Sequence, residues 1–505
     1  MNQITVTDIE SSKRVAFNMM CSTAAHLLSA VIAFMITPFL IARVGLEAYG
    51  FYPISSELVG FFGLFCGVVN ATASRYITVE DARGNRREAD QYFSTVFFAN
   101  LFLCAFLLVP MGLFVGFVDR ILSIPEGLVG ELRLFFALVL ATVLINAFSS
   151  AFGSAYSISN RLDLRSAQEL IAVLLKAAIL FALLGGGYSS SIVSIGVALL
   201  ISTAAGAVIQ CLMCRRLAPE LTISWGNVSR PHAGRVFASG LWYTLDRLGA
   251  FLMTGGLLIV SNMLFTAEGV GVYSVSVTAA RSMSGVLLML SGVFLPVTAK
   301  RFARGETDRL RADIIRDQKV TGFFAAVGAA VAIGFCNEFF ELWLPSENSP
   351  LLRILTILSI VPVTVIAAAL PIVNLGVVMN RMRRLSLLFV AGGMLTLAAV
   401  ILVSCFTPAG VIGVAVISAA AQFLWYAALV PLFAARLLRV RARDFYRPTL
   451  RTVLACGLSV ALILAVKSVA RITDWGHLIL IGAVCLVASL VISFLCVFGK
   501  PKFKI

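Results

Sequence analysis

The chain alternates long apolar runs with short polar connections over nearly its whole length. A helix that crosses a bilayer needs about 20 mostly apolar residues, and charged residues usually mark its ends. The pattern therefore predicts an all-α integral membrane protein with about fourteen transmembrane helices. The predicted spans are residues 15–42, 48–74, 92–118, 131–157, 168–187, 190–212, 236–264, 269–297, 320–341, 351–377, 386–406, 409–434, 449–470 and 477–498.

The basic residues are distributed unequally between the two sides of this arrangement. Of the 40 Lys and Arg residues, 31 lie in connections on the side that both termini share, and 6 lie on the other side. Basic connections remain in the cytoplasm during insertion. We therefore expect both termini of this multi-pass protein to be cytoplasmic. The run 15–42 is too long for a signal-peptide core and predicts a retained first span.

Composition supports a membrane location. Of 505 residues, 60% are hydrophobic and only 13% are charged, which a soluble protein of this length could not cover with a polar surface. A net charge of +15 would suggest nucleic acid in a soluble protein. Here the basic residues lie between apolar runs, so they indicate topology and no nucleic-acid partner is expected.

A weak internal repeat divides the chain. Shifted by 221 residues, Glu47–Tyr52 aligns with Glu268–Tyr273, and Ala82–Gly84 aligns with Ala303–Gly305. The offset contains six spans, an even number, so the two copies have the same orientation, as in transporters built from parallel repeats. We predict six-helix lobes at 1–224 and 225–435 around a central cavity, with two additional helices in 436–505.

Several ionisable residues lie inside predicted spans, where they are costly and usually face a cavity or a partner. They are His26, Glu57, Lys176, Asp246, Arg247 and Arg281. The offset of 221 pairs His26 with Arg247 and places the match of Glu57 one turn before Arg281. All but Lys176 lie on spans 1, 2, 7 and 8, which predicts a central cavity with a net positive character.

Each of these residues also has a simpler interpretation. A single membrane histidine such as His26 is often a hydrogen-bonded packing residue. Asp246 and Arg247 are adjacent, so they point about 100° apart on a helix and cannot both serve one point. Lys176 can extend to the membrane surface, and Arg75 at a span end fits a lipid-phosphate contact as well as the lumen.

No enzyme motif is present in the sequence. The three histidines do not form HExxH, and no GxxxxGK[ST] loop exists for ATP. Cys211 and Cys214 form a single CxxC without a second pair or a nearby histidine, which is weak evidence for a metal or redox site. The connections are too short for a soluble catalytic domain, so we expect no enzyme activity and no cofactor.

Three segments carry a family resemblance. The stretch Thr37–Gly50 (TPFLIARVGLEAYG) resembles the opening of bacterial polysaccharide-repeat flippases, the Wzx-type O-antigen and exopolysaccharide flippases. The segment Gly271-Val-Tyr273, followed by Arg281, Pro296 and Arg304, is similar to the matching part of their second half. Leu245-Asp246-Arg247 resembles their seventh span. These flippases belong to the multidrug/oligosaccharidyl-lipid/polysaccharide (MOP) exporter superfamily.

The resemblance implies a location in the bacterial inner membrane. It also implies that the chain moves an undecaprenyl-diphosphate-linked oligosaccharide from the cytoplasmic to the periplasmic leaflet by alternating access, in lipopolysaccharide or exopolysaccharide biosynthesis. Membrane lipids, a polysaccharide polymerase and assembly proteins would be its partners. Arg281 and Arg247 are candidates for the diphosphate because arginine binds phosphate through paired, charge-assisted hydrogen bonds.

Other polar residues receive roles from the same hypothesis. His26 would contribute to substrate binding, Asn70 to glycan binding, and Glu57 or Asp246 to binding of a coupling proton or cation. Asn146 and Asn374 are further candidates for sugar hydroxyls.

Three alternatives remain from the sequence. A drug/cation antiporter of the same superfamily would be expected to have a more acidic cavity, whereas the charges within the spans here are mainly basic. A lipid II flippase is a related possibility. A membrane scaffold for glycan assembly, without transport, would tolerate neutral replacements of Arg281 and Arg247.

Overall fold

The computed structural model describes residues 6–125, 127–186, 191–265, 267–294, 297–298, 301–302, 304–345, 349–379, 381–470 and 472–499. Every regular element within these ranges is a helix. Pro296 and Ala303 of the predicted motifs lie outside them.

Ten α-helices form the first part of the chain. They are α1 (Val6–Val44), α2 (Leu46–Asn70), α3 (Ala73–Ala82), α4 (Arg86–Gly116), α5 (Val118–Ile121), α6 (Val129–Ser149), α7 (Ser154–Ile158), α8 (Leu162–Leu180), α9 (Val193–Leu217) and α10 (Arg230–Met253). A 3₁₀ turn at Ser150–Gly153 joins α6 to α7, and α8 continues into a π-helical turn at Phe181–Gly185.

The described helices of the second part follow in the same order. They are α11 (Gly255–Leu264), α12 (Ala267–Gly292), α13 (Thr307–Gly334), α14 (Cys336–Trp343), α15 (Pro350–Val378), α16 (Met382–Phe406), α17 (Gly410–Leu424), α18 (Val430–Leu438), α19 (Arg443–Lys467) and α20 (Trp475–Phe498). A π-helical turn at Trp425–Leu429 joins α17 to α18.

The number of membrane spans agrees with the sequence. In the described residues, 13 helical segments are long and apolar enough to cross a bilayer, and α13 with α14 gives a fourteenth if this pair, bent by 62°, counts as one span. The predicted all-α membrane fold is therefore confirmed. The predicted ninth span at 320–341 differs in detail, because its helix begins at Thr307 and breaks after Gly334.

The chain divides into two compact units, Met1–Phe251 and Leu252–Ile505. The division lies inside the predicted seventh span, which is interrupted at Thr254, where φ is −134° and ψ is −75°. The helix on one side ends at Met253, and the helix on the other side begins at Gly255. The sequence does not predict this interruption. The lobe boundaries at 224 and 435 stay predictions.

The first unit contains a cluster of buried apolar residues that joins several of its helices. The cluster includes Ile77 of α3, Phe93 of α4, Val236 of α10 and, in the 3₁₀ turn after α6, Ala151. Close backbone packing of α2 against α10 adds to it: a Cβ on Gly240 would lie 1.9 Å from the carbonyl oxygen of Val68. Only glycine allows this approach. The hydroxyls of Thr72 and Ser239 lie 2.7 Å apart at the same contact.

The second unit is organised around α13. Four of its alanines, at positions 325, 326, 329 and 330, are fully buried in a cluster that includes residues of α15 and α19. Such small side chains let membrane helices approach closely, so that dispersion contacts hold them together. Gly322 and Gly334 extend the same close packing, because a Cβ at either position would contact the side chain of Thr452 or Ile463 at 2.6 Å or less.

Candidate functional site: a polar cavity in the first unit

The break between α6 and α7 shapes the first unit. Ser150 donates a hydrogen bond to the carbonyl of Ala147, and Ser154 donates one to the carbonyl of Ala151, each at 2.7 Å. Serine hydroxyls that bond to preceding carbonyls in this way compete with regular helix geometry and bend helices. The serine-rich sequence around Ser149–Ser154 is therefore consistent with a 3₁₀ turn at this point.

A polar cavity of about 390 Å³ lies beside this turn, and we call it the amide cavity. Helices α2, α3, α6, α7, α8 and α9 contribute to its wall. Four amide side chains line it together with five hydroxyl groups: Asn70, Asn146, Gln168, Gln210, Ser74, Ser149, Ser150, Ser154 and Tyr156. An apolar helix bundle thus contains a space surrounded by both hydrogen-bond donors and acceptors.

Asn70 is fixed at the wall of the amide cavity by a reciprocal amide pair. Its Nδ2 donates to Oδ1 of Asn100, and Nδ2 of Asn100 donates to Oδ1 of Asn70, both at 2.9 Å. The hydroxyl oxygen of Ser150 lies 3.0 Å from the same Oδ1 of Asn70. Asn100 is fully buried, so the pair satisfies an amide that would otherwise be costly inside the bilayer.

The other amides differ in how firmly they are held. Oε1 of Gln168 accepts a hydrogen bond of 2.5 Å from the hydroxyl of Tyr156. Gln210 lies against Gly153, where an added Cβ would come within 2.6 Å of its Nε2 atom. The side chain of Asn146 is exposed. The cavity therefore combines fixed amides with an amide that is free to meet a ligand.

His26 lines a second cavity, of about 340 Å³, which we call the His26 cavity. It lies between α1 and α8, and Asn18 and Asn160 form part of its wall. Asn18 bridges the two helices through hydrogen bonds of 3.2 Å to Asn160 and to the backbone amide of Asp163. The His26 side chain is exposed.

One ion pair lines both cavities. Nε of Arg165 lies 3.1 Å from Oε1 of Glu169, one turn apart on α8, and both residues line the amide cavity as well as the His26 cavity. Both side chains keep about half of their exposure, at 60% and 43%. Exposed pairs at this helical spacing contribute little to stability. The pair is therefore easily rearranged.

The remaining predicted residues of the first unit lie outside these cavities. Arg247 is exposed and donates a hydrogen bond of 3.0 Å to the hydroxyl of Tyr243, and its guanidinium carbon lies 5.3 Å from the centre of that ring. Oδ1 of Asp246 is buried without a hydrogen-bond partner among the described residues. Glu57 is partly buried on α2.

The second unit contains two further predicted residues. Arg281 is partly buried on α12. Asn374 donates hydrogen bonds to the hydroxyl of Ser291 at 3.0 Å and to its carbonyl at 3.3 Å, so it links α12 and α15. The structure thus brings Asn70 and Asn146 to one cavity and His26 to its neighbour. The binding and coupling roles proposed for all these residues stay predictions.

Sequence reasoning missed Asn100, Gln168 and Gln210 as well as the pair Arg165–Glu169. Uncharged amides within apolar runs are the signal that could have found the first three. Cys211 and Cys214 carry free thiols, and no group of metal-ligating side chains occurs in the described part of the chain.

Comparisons with known proteins support this architecture. No family profile matches the chain. It is 21% identical over 489 residues to the uncharacterized membrane protein EpsK of Bacillus subtilis (strain 168), covering 97% of this chain and 96% of that protein.

Two solved structures are similar over most of the chain. An inward-facing multidrug resistance transporter of the MATE family matches with a TM-score of 0.67 and 15% identity, over 84% of this chain and 97% of that one. The lipid II flippase MurJ matches with a TM-score of 0.59 and 13% identity, over 96% and 99%. The chain has the fold of MOP-superfamily transporters. At these identities the similarity establishes the fold alone.

Proposed function

We propose that this MOP-fold protein is a flippase that carries an undecaprenyl-diphosphate-linked oligosaccharide from the cytoplasmic to the periplasmic leaflet. The observation that carries the proposal is the amide cavity within a bundle of membrane helices. Each sugar hydroxyl both donates and accepts hydrogen bonds, and each Asn or Gln side chain does the same. A cavity of 390 Å³ lies within the usual range of about 300–1,000 Å³ for ligand sites.

The charges inside the spans support an anionic headgroup. Arg281 and Arg247 would bind the diphosphate, because arginine matches phosphate oxygens with paired donors. The balance of ionisable residues predicted within the spans is basic, which suits this substrate better than a cationic drug. Glu57 or Asp246 would bind the coupling ion in this scheme.

Two transport alternatives belong to the same fold. The MATE transporter covers 84% of this chain, whereas the lipid II flippase covers 96%. The MATE match has the higher TM-score, 0.67 against 0.59, so the comparisons do not rank the two functions. A drug/cation antiporter is the second candidate because the ionisable residues within the spans are mainly basic. A lipid II flippase differs from the main proposal only in its substrate.

The deciding experiment deletes the gene in its host and measures both surface polysaccharide and lipid-linked oligosaccharide. We expect surface polymer to fall and the lipid-linked repeat to accumulate on the cytoplasmic side. Wild type should restore export, Arg281→Lys should restore it partly, and Arg281→Ala should not. Normal polysaccharide with new sensitivity to cationic drugs would instead assign the protein to the antiporters.

A matched pair of variants tests the amide cavity itself. Gln210→Leu removes an amide from the cavity wall, whereas Gln91→Leu makes the same change on α4 away from the wall. At equal membrane levels, we expect loss of export with the first variant and normal export with the second. Equal export by both variants would show that the amide cavity is not needed for transport. Equal export by wild type and the Arg281 variants would favour a scaffold without transport.

A further inference from the structure

A dense group of arginines lies where α18 ends and α19 begins. The connection between these helices spans only residues 439–442, so the group lies at the boundary of two predicted membrane spans. All five side chains are exposed. We call the group the arginine corner, and its members are Arg436, Arg439, Arg441, Arg443 and Arg447.

The positive charge of the arginine corner is not balanced by an acidic partner in the part of the chain that the structure describes. The nearest acidic residue in sequence, Asp444, pairs with Arg311 of α13, and Nη2 of Arg311 lies 2.5 Å from Oδ2 of Asp444. None of the five guanidinium groups has a hydrogen-bond or ion-pair partner among the described residues. Five unpaired guanidinium groups beside a membrane create a strongly positive local field.

Arg439 has an unusual backbone conformation that shapes the corner. Its φ is 55° and its ψ is 43°, in the left-handed region. The backbone amide of Val440 donates to the carbonyl of Ala435 at 3.0 Å, which closes the C-terminal end of α18 in the manner usual for glycine or asparagine. Asn160 is the only other described non-glycine residue with a positive φ. Arg439 therefore occupies a strained backbone position.

A small cavity of about 250 Å³ adjoins Arg439. Its wall includes apolar side chains of Phe302, Leu310, Met379 and Leu438. Glu306 also lines it, but its carboxylate is paired with Arg301 and Arg309. The guanidinium group of Arg439 at the edge of a mainly apolar cavity fits a molecule with an anionic head and an apolar tail.

We propose that the arginine corner binds the phosphate headgroup of anionic phospholipids in the surrounding leaflet. Guanidinium groups bind phosphate oxygens through paired, charge-assisted hydrogen bonds, and the hollow beside Arg439 receives the adjoining apolar part of the lipid. By the distribution of basic residues, this leaflet is the cytoplasmic one. The proposal does not depend on which substrate the protein transports.

The test uses the purified full-length chain in neutral detergent. It is titrated with phosphatidylglycerol, phosphatidylcholine or inorganic phosphate, and both bound lipid and the melting temperature are measured. We expect saturable binding and a higher melting temperature with phosphatidylglycerol only. Equal effects of the two lipids would contradict the proposal, and an equal effect of inorganic phosphate would show a site for free anions instead.

Arg439→Asn is expected to change both the melting temperature and the affinity for phosphatidylglycerol. Asparagine tolerates the left-handed conformation, so this variant should melt at a higher temperature than wild type without lipid. It should nevertheless bind phosphatidylglycerol about fivefold more weakly, the effect expected for one basic residue near an anionic surface. Arg441→Asn should weaken lipid binding to a similar extent without the gain in melting temperature.

Arg87→Asn is the matched control. Arg87 is an exposed arginine at the start of α4, also without a partner among the described residues. We expect it to leave phosphatidylglycerol binding unchanged. If Arg87→Asn weakens binding as much as Arg439→Asn does, the effect is one of total charge and the proposed site does not exist.

Discussion

Lys467 and Glu338 form an ion pair in which Nζ lies 2.7 Å from Oε2, and both side chains are largely buried. The same Nζ donates to the carbonyl of Gly334 at 2.8 Å. That carbonyl lies at the end of α13, where the chain bends by 62° into α14. A break of this kind leaves helix carbonyls without their usual amide partners. The ammonium group of Lys467, at the end of α19, thus donates to a carbonyl at the break and also pairs with Glu338, which follows the break.

We expect Lys467→Met to destabilise the protein by about 3 kcal/mol, because it leaves Glu338 as a buried charge without its partner. The double variant Lys467→Met/Glu338→Gln should recover part of this loss. Unfolding free energies in mixed micelles measure both effects. A double variant as unstable as the sum of the two single ones would mean that the two residues do not interact.

The packing of α2 against α10 makes a prediction about glycine. Gly240→Ala would force a Cβ to within 1.9 Å of the Val68 carbonyl oxygen, so we expect a loss of about 3 kcal/mol from overpacking. Gly234→Ala on the same helix adds a Cβ with no atom within 4 Å. It should be neutral or stabilising by up to about 1 kcal/mol, because alanine favours helix. Thermal melting of the two variants compares them directly.

Two asparagines near the amide cavity, Asn100 and Asn146, are expected to differ in whether their replacement affects stability or export. Asn100→Ala removes two hydrogen bonds of Asn70 and should cost about 1–2 kcal/mol. Asn146→Ala removes an exposed amide from the cavity wall and should leave the unfolding free energy unchanged. Under the proposed function, Asn146→Ala reduces export at a normal protein level. A large loss of stability in Asn146→Ala would show that its amide is structural.

Asp474 provides a test of pH dependence outside the spans. Its side chain accepts a hydrogen bond of 2.9 Å from the backbone amide of His477 and so caps α20. This bond, aided by the His477 ring, holds the pKa of Asp474 below its usual value.

A lowered pKa in the folded state gives stability that is complete above the unfolded pKa of about 3.9 and is lost as pH falls through the folded value. Wild type should therefore melt at a higher temperature than Asp474→Asn near neutral pH. The difference should narrow only below about pH 4. A difference that already narrows as pH falls from 7 to 5 would contradict the assignment of this effect to the Asp474 carboxylate.

The sequence predicted the membrane spans because burial in lipid depends on composition over one continuous run of residues. It did not predict the bend after Gly334, whose supporting ammonium group comes from Lys467, far along the chain. It did not predict the interruption at Thr254 either. The pairing of Asn70 with Asn100 was missed for the same reason, because in both cases the partner residue lies on another helix. Asn70 was named correctly as a polar residue within a span, but its fixed orientation is a property of the folded unit.

The ion pair Arg165–Glu169 has a thermodynamic consequence for the two cavities that it lines. A ligand that draws Arg165 away from Glu169 in the His26 cavity also changes the wall of the amide cavity, because these two residues belong to both. The two binding equilibria are therefore linked. By reciprocity, the factor by which the first ligand alters the affinity for the second must equal the factor by which the second alters the affinity for the first.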